Sequence, residues 1–238
     1  MGWIEYWDDK PTIYVNRRHR EAHYRSIADG LIANLGEGRP VVLDYGCGEA
    51  LFAGDVARRC SRLYLCDAAP SVQAELQKRF AGVENIAVIA PAELSTLADG
   101  SLDLIVANSV IQYLSPTDLD QCLEQWKRLL APTGRLLVAD VIPPSVGPLT
   151  DALALLDFGR REGFLIAAAA GLVRTLFSSY RKVRAALGLQ QFEADAIVAR
   201  LAAHGLVARR HHPNLGHNQS RMAFVAVRTD AEARSSHA

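Results

Sequence analysis

The segment Val41-Val42-Leu43-Asp44-Tyr45-Gly46-Cys47-Gly48-Glu49-Ala50 ends an apolar run in a carboxylate and follows it with two glycines. An apolar run of this kind suits a strand of a parallel sheet, buried on both faces. The glycines permit backbone angles closed to other residues and leave no Cβ between the turn and a ligand lying on it. Bare backbone beside Asp44 could therefore cradle a nucleotide-like cofactor. A second carboxylate, Asp67, closes Leu63-Tyr64-Leu65-Cys66-Asp67, 21 residues after Gly46. Neighbouring strand ends of an open parallel sheet face one crevice. A carboxylate there can accept both hydroxyl protons of a ribose. Capping a turn is the other role an aspartate takes in such a place.

The elements that must position these residues alternate between strand and helix periods, as in βαβ units. Helical character runs from about 16 to 35, with Gly36 and Gly38 as stops. Strands are expected at 40–44, 62–66, 86–90, 102–107 and 135–141. Between them, helices are expected over 49–60, from a cap at Ser71 to Phe80, and from Ser115-Pro116 to about Leu130. Residues 150–188 read as helical and interrupt the alternation. After a helix near 193–204, Leu206–Arg210 and Met222–Arg228 read as a closing antiparallel pair. Periodicity alone gives a doubly wound sheet.

Two further segments complete an ordered set of four. Ala90-Pro91-Ala92-Glu93-Leu94 follows the third strand. Ser101-Leu102-Asp103-Leu104-Ile105-Val106-Ala107-Asn108-Ser109-Val110-Ile111-Gln112-Tyr113-Leu114 carries the fourth. Over roughly residues 25–142 the chain resembles the class I S-adenosylmethionine (SAM)-dependent methyltransferases, in their small-molecule (UbiE- and type 11-like) branch. Their first motif runs Asp/Glu-x-Gly-x-Gly-x-Gly, and Ala50 stands here for the third glycine.

The resemblance implies a Rossmann-like α/β fold: a seven-stranded, mostly parallel sheet with an antiparallel last strand and helices on both faces. It makes residues 1–238 a single domain with a helical lid at 1–35, a helical cap insertion at 145–190 after strand 5, and a frayed tail at 229–238. It assigns Asp44, Gly46, Cys47 and Gly48 to the cofactor loop and Asp67, with Ala68 in the following turn, to the ribose. Pro91 takes the usual acidic position after strand 3, so the adenine edge falls to Ala92 or Glu93. Asn108 and Ser109 border the methionine moiety. Many relatives carry Glu and His where this chain has Gln112 and Tyr113, so no base is assumed there.

A nicotinamide Rossmann protein is the nearest rival. Its fingerprint needs a small residue three positions after Gly48, where this chain has Leu51. Asp44 would also repel a phosphate, whereas a cationic sulfonium tolerates or prefers it. No Walker lysine, Asn/Asp-Pro-Pro-Tyr/Phe segment or Pro-Cys pair is present for phosphate, adenine or cytosine chemistry.

Methyl transfer is mostly a matter of positioning, so the core motifs do not encode the reacting group. An alcohol or phenol acceptor would be helped by histidine, and His217 and His19 are the candidates. Transfer to oxygen is the expectation, with carbon and nitrogen open. A non-catalytic SAM-binding partner or regulator is the alternative reading, and a NAD-dependent oxidoreductase a weaker one. Between Arg160 and Arg184 stand six basic residues and one acid, Glu162, beside an apolar face. That insertion could roof the substrate site, meet an acidic or lipid-like substrate, dock on a membrane surface or pair two subunits as a homodimer.

Of the 238 residues, 50% are hydrophobic and 22% charged, with formal net charge +0. That balance argues against disorder and against general nucleic-acid affinity. Four cysteines form no CxxC pair, so neither a disulfide framework nor a metal site is expected. The N-terminus lacks signal-peptide layout and no apolar run is long enough to span a bilayer, giving the expectation of a soluble, cytoplasmic protein.

Overall fold

The structure, a computed structural model, describes residues 2–9, 14–175 and 188–230. Its strands are β1 (Val41–Tyr45), β2 (Arg62–Cys66), β3 (Ile86–Ile89), β4 (Leu102–Asn108), β5 (Leu130–Val141), β6 (Leu206–His211) and β7 (Met222–Arg228). They form one sheet in the order β3-β2-β1-β4-β5-β7-β6. β7 runs antiparallel to both β5 and β6, and the other pairs are parallel. The implied Rossmann-like sheet with a reversed last strand is the sheet that forms.

The helices are α1 (Trp3–Asp8), α2 (Arg17–Ala33), α3 (Ala53–Ala57), α4 (Pro70–Arg79), α5 (Pro116–Leu129), α6 (Pro148–Glu162), α7 (Leu165–Thr175) and α8 (Ala194–Ala203). Side chains alternate across the central strands, as the two-residue period of a strand requires. Leu43 and Ile105 point into a cluster with Trp126 of α5, Leu201 of α8 and Phe224 of β7. Val42, Leu104 and Val106 point the other way, to Leu31 of α2, Val56 of α3 and Leu76 of α4. Helices therefore cover both faces, and the carboxyl ends of the parallel strands share one open edge.

Three local expectations are corrected. The helix expected over 49–60 shrinks to α3, because Ala50 takes a left-handed φ of 41° and the chain turns through 49–52 first. Ser71 does not cap α4: Pro70 is its first residue, Ala69 precedes it, and the Ser71 N–H goes to Asp8 Oδ1 at 2.7 Å. β5 begins five residues early, pairing Leu130 with Leu102 before an irregularity. By contrast, Ser115 caps α5 as expected, accepting from the Asp118 N–H at 3.1 Å.

The described part of the insertion after β5 forms an αα-hairpin. α6 ends at Gly163 with φ 76°, and Phe158, Phe164 and Ala168 pack with Val15 and Ala22 at the start of α2. Gly171 allows this approach, since a Cβ there would sit 2.1 Å from Val15 Cγ1. The expected basic face is partly neutralised, because Arg160 and Arg161 both pair with Asp157, at 2.9 and 3.0 Å. Its members Arg181, Lys182 and Arg184, and residues 231–238 of the tail, lie outside the described residues.

Candidate active site

The strand ends of β1, β2, β4 and β5 open into a cavity of about 2320 Å³. Its floor is the loop after β1. Gly46 and Cys47 donate their N–H groups to Cys66 O, at 2.7 and 3.1 Å, which ties the loop to the end of β2. Gly46 has φ 71°, and a Cβ on it would lie 2.4 Å from Val110 Cγ2. Gly48 has φ 57°, and a Cβ there would lie 2.9 Å from the Tyr24 hydroxyl. Both glycines are therefore required by space as well as by backbone angle. Ala50 keeps the left-handed angle of the glycine it replaces, a strain of about 1 kcal/mol.

Two carboxylates edge this floor. Asp67 accepts from Gly48 N and Ala69 N, both at 2.9 Å, so each oxygen keeps a lone pair for a ligand hydroxyl. Burial raises its pKa, opposed by those backbone bonds. Asp44 is buried, and burial together with the charge of Asp67 pushes it up to about 7. Burial, then Asp44 and Asp67, raise the Cys47 thiol well above its usual value, so the thiol adds no charge. Tyr24 accepts from the Glu49 N–H at 3.0 Å and is itself bonded to Tyr14, which fixes the loop from α2.

At the end of β4, Ser109 (φ 58°) and Asn108 reach the same cavity. The Asn108 Oδ1 is buried with no hydrogen-bond partner. The Ser109 hydroxyl donates to Asp140 Oδ2 at 2.6 Å. Asp140, at φ 59°, pairs with Arg221 at 2.7 Å, and Arg221 Nη2 reaches both oxygens of Asp151 on α6, at 3.0 and 3.1 Å. Burial opposes the charge on Arg221, but the two carboxylates outweigh it and raise its pKa. Asn214 donates to Asp140 and Asn218 to Asp151. This chain of contacts joins β4, β5, the cap and the β6–β7 loop. Sequence reading missed it because its members come from four distant segments; Asp140, at the end of an apolar strand like Asp44, was the one visible signal.

The two histidine candidates meet. His19 and His217 have ring centroids 6.3 Å apart, and His23 stands 6.5 and 6.4 Å from them. His217 stacks on Phe158 (4.7 Å) and His19 on Phe164 (4.9 Å). Burial lowers all three pKa values, that of His19 to about 4 and that of His23 to about 3. The rings are uncharged at neutral pH. His19 is the less suited to take a proton, since its Nδ1 already accepts from Val15 N at 3.3 Å.

Asp44, Gly46, Cys47, Gly48, Asp67, Ala68, Asn108 and Ser109 thus line one cavity with His19 and His217. Ala92 and Glu93 do not. Glu93 turns back to accept from the Ala90 N–H at 2.7 Å, and Pro91 lines the wall instead. α1 packs over this side, with Trp3 and Trp7 against Tyr113 at 4.7 and 5.8 Å. Among the described residues, no cluster of ligands suited to a metal ion occurs, and no helix is long and apolar enough to cross a membrane.

Sheet order and glycine loop define the class I methyltransferase fold. Residues 43–138 match the family described as methyltransferase domain. An uncharacterized methyltransferase of Mycobacterium tuberculosis is 28% identical over 124 residues, covering 52% of this chain and 60% of that protein. Nodulation protein S of Rhizobium tropici is 26% identical over 125 residues, covering 52% and 50%. The chain thus spans less than two thirds of the length of the curated relatives it matches. The crystal structure of a 1,6-didemethyltoxoflavin-N1-methyltransferase from Burkholderia thailandensis, bound to its substrate and S-adenosylhomocysteine, superposes with a TM-score of 0.55 at 17% identity, covering 87% of this chain and 78% of that one. Residues 43–138 thus match a methyltransferase domain within a Rossmann-like fold, and SAM is the cofactor of the class I methyltransferases that share that fold.

Proposed function

We propose that the protein transfers a methyl group from SAM to the oxygen of a small-molecule acceptor, with His217 as general base and α1 with the start of α2 as a lid. The observation that carries the reading is the pair Asp44 and Asp67 around a loop that only bare backbone can form. These residues fit SAM. Asp67 offers free lone pairs to ribose hydroxyls, and Asp44 and the unpartnered Asn108 Oδ1 offer negative charge and an acceptor to an ammonium or sulfonium. A pyrophosphate would face two carboxylates with no compensating lysine among the described residues that line the cavity.

SAM supplies an electrophilic methyl group whose transfer leaves a neutral thioether, so one proton must leave an attacking hydroxyl. His217 is placed to take it, and Asp140 and Asp151 lie near enough to favour the imidazolium that results. The aromatic lid and the apolar cap exclude water from the reacting atoms.

Calorimetry with SAM, S-adenosylhomocysteine and NAD tests the assignment: the first two are expected to bind and NAD is not. Asp67→Ala is expected to weaken SAM binding by about 1–3 kcal/mol without unfolding the protein. Unchanged affinity would remove Asp67 from the ribose.

Affinity should also depend on pH. With its pKa near 7, Asp44 is partly protonated in the free protein at neutral pH, and a bound cation favours the ionised form. The complex then holds fewer protons than the free protein, so binding weakens as pH falls. Kd is expected to rise up to roughly tenfold per pH unit below 7 in the wild type and to flatten in Asp44→Asn. A flat wild-type profile between pH 6 and 8 would refute this coupling.

A further inference from the structure

We propose that the acceptor is an uncharged, hydroxylated aromatic molecule held against the paired rings of His23 and His217, with His23 as a second acceptor-binding residue. This rests on the methyltransferase reading above and narrows its substrate.

The first argument is charge. Among the described residues, every arginine on the cavity wall is already matched to a carboxylate. Arg17 pairs with Glu21 (2.7 Å), Arg20 with Glu49 (3.4 Å), Arg79 with Glu75 (2.7 Å) and Arg221 with Asp140 and Asp151. The unmatched charges, Asp44 and Asp67, are negative. Among the described residues, an anionic acceptor would meet no free cation, which costs several kcal/mol for a desolvated charge. The acidic substrate considered from the sequence finds no partner on these walls.

The second argument is the pattern of free nitrogens. The three imidazoles are inequivalent. His19 is engaged through Nδ1 and stacked on Phe164, so its role is to pack the cluster. Among the described residues, the ring nitrogens of His23 and His217 have no hydrogen-bond partner, and both residues line the cavity. Two uncharged rings with centroids 6.4 Å apart can each offer a nitrogen to one hydroxyl or to two on the same face of a flat ligand. Around them, Leu155, Leu172 and Val173 supply apolar wall, and the Phe158 ring lies parallel to His217. Such a chamber favours a planar, mostly apolar body with a polar edge.

The test uses the full chain saturated with S-adenosylhomocysteine, titrated calorimetrically at pH 7.5. The probes are 1-naphthol, 2-naphthol and 4-phenylphenol, each beside the carboxylate of the same skeleton. At least one phenol is expected to bind, about tenfold or more tighter than its matching carboxylate. His23→Ala and His217→Ala should each weaken that phenol about fivefold, with S-adenosylhomocysteine affinity unchanged at a temperature where both variants remain folded. A carboxylate binding as tightly as its phenol, no phenol binding at all, or phenol affinity indifferent to both variants would overturn the proposal. Failure of wild-type protein to bind S-adenosylhomocysteine would instead strike the methyltransferase reading beneath it.

Discussion

Replacing Arg221 by methionine is expected to destabilise the protein by about 3–5 kcal/mol, the usual effect of removing one partner from a buried ionic group. The guanidinium stands between Asp140 and Asp151, whose side chains are 11% and 21% exposed. Its removal leaves two carboxylates close together, beside the neutral donors Asn214, Asn218 and Ser109. Partial exposure of Asp151 places the effect nearer the lower figure. Urea unfolding of the two proteins measures it. The triple variant Arg221→Met, Asp140→Asn, Asp151→Asn removes both orphaned charges and is expected to recover most of the loss. Recovery would assign the loss to uncompensated charge; without it, the cause would be lost packing of the arginine stem. A loss below about 1 kcal/mol in the single variant would mean the group behaves as a surface pair.

This contact chain also marks the boundary of what sequence could tell. Asp44, Gly46, Gly48, Asp67, Asn108 and Ser109 were legible because each sits at a fixed offset from an apolar strand, and the sheet brings consecutive strand ends to one edge. Strand identity survived for the same reason: apolar runs bounded by Gly, Pro and Asp leave little choice of element. Local boundaries did not survive where backbone conformation overrode propensity, as at Ala50, whose left-handed angle shortens α3 to five residues. The Arg221 contacts link segments up to 81 residues apart, and nothing local records which arginine meets which aspartate. Glu93 shows the converse case, a residue at a suggestive offset whose carboxylate turns back to a local cap. The histidines lie between these cases. Their chemistry was visible, but that His19 serves packing while His23 and His217 stay free depends on the Val15 N–H and the two phenylalanines of the cap.

That same burial makes a pH prediction. His23 is held at about 3 in the folded protein, against about 6.5 for a solvated histidine. Between those values the unfolded chain binds a proton that the folded one does not. Stability contributed by keeping His23 neutral is therefore full above pH 6.5 and is lost as pH falls through that value. The slope is about 1.4 kcal/mol per pH unit for a single group. Asp44 and Asp67, whose pKa values are raised, act in the opposite sense over part of this range, so the slope of the wild type alone does not isolate the histidine. The comparison with His23→Gln does, because the amide keeps polarity and does not titrate. Between pH 6.5 and 4.5, the wild type is expected to lose roughly 2–3 kcal/mol relative to that variant, measured by urea unfolding at each pH. Parallel stability curves would show that water in the cavity solvates the His23 imidazolium after all. The neutral, desolvated pair on which the acceptor proposal stands would then have no basis.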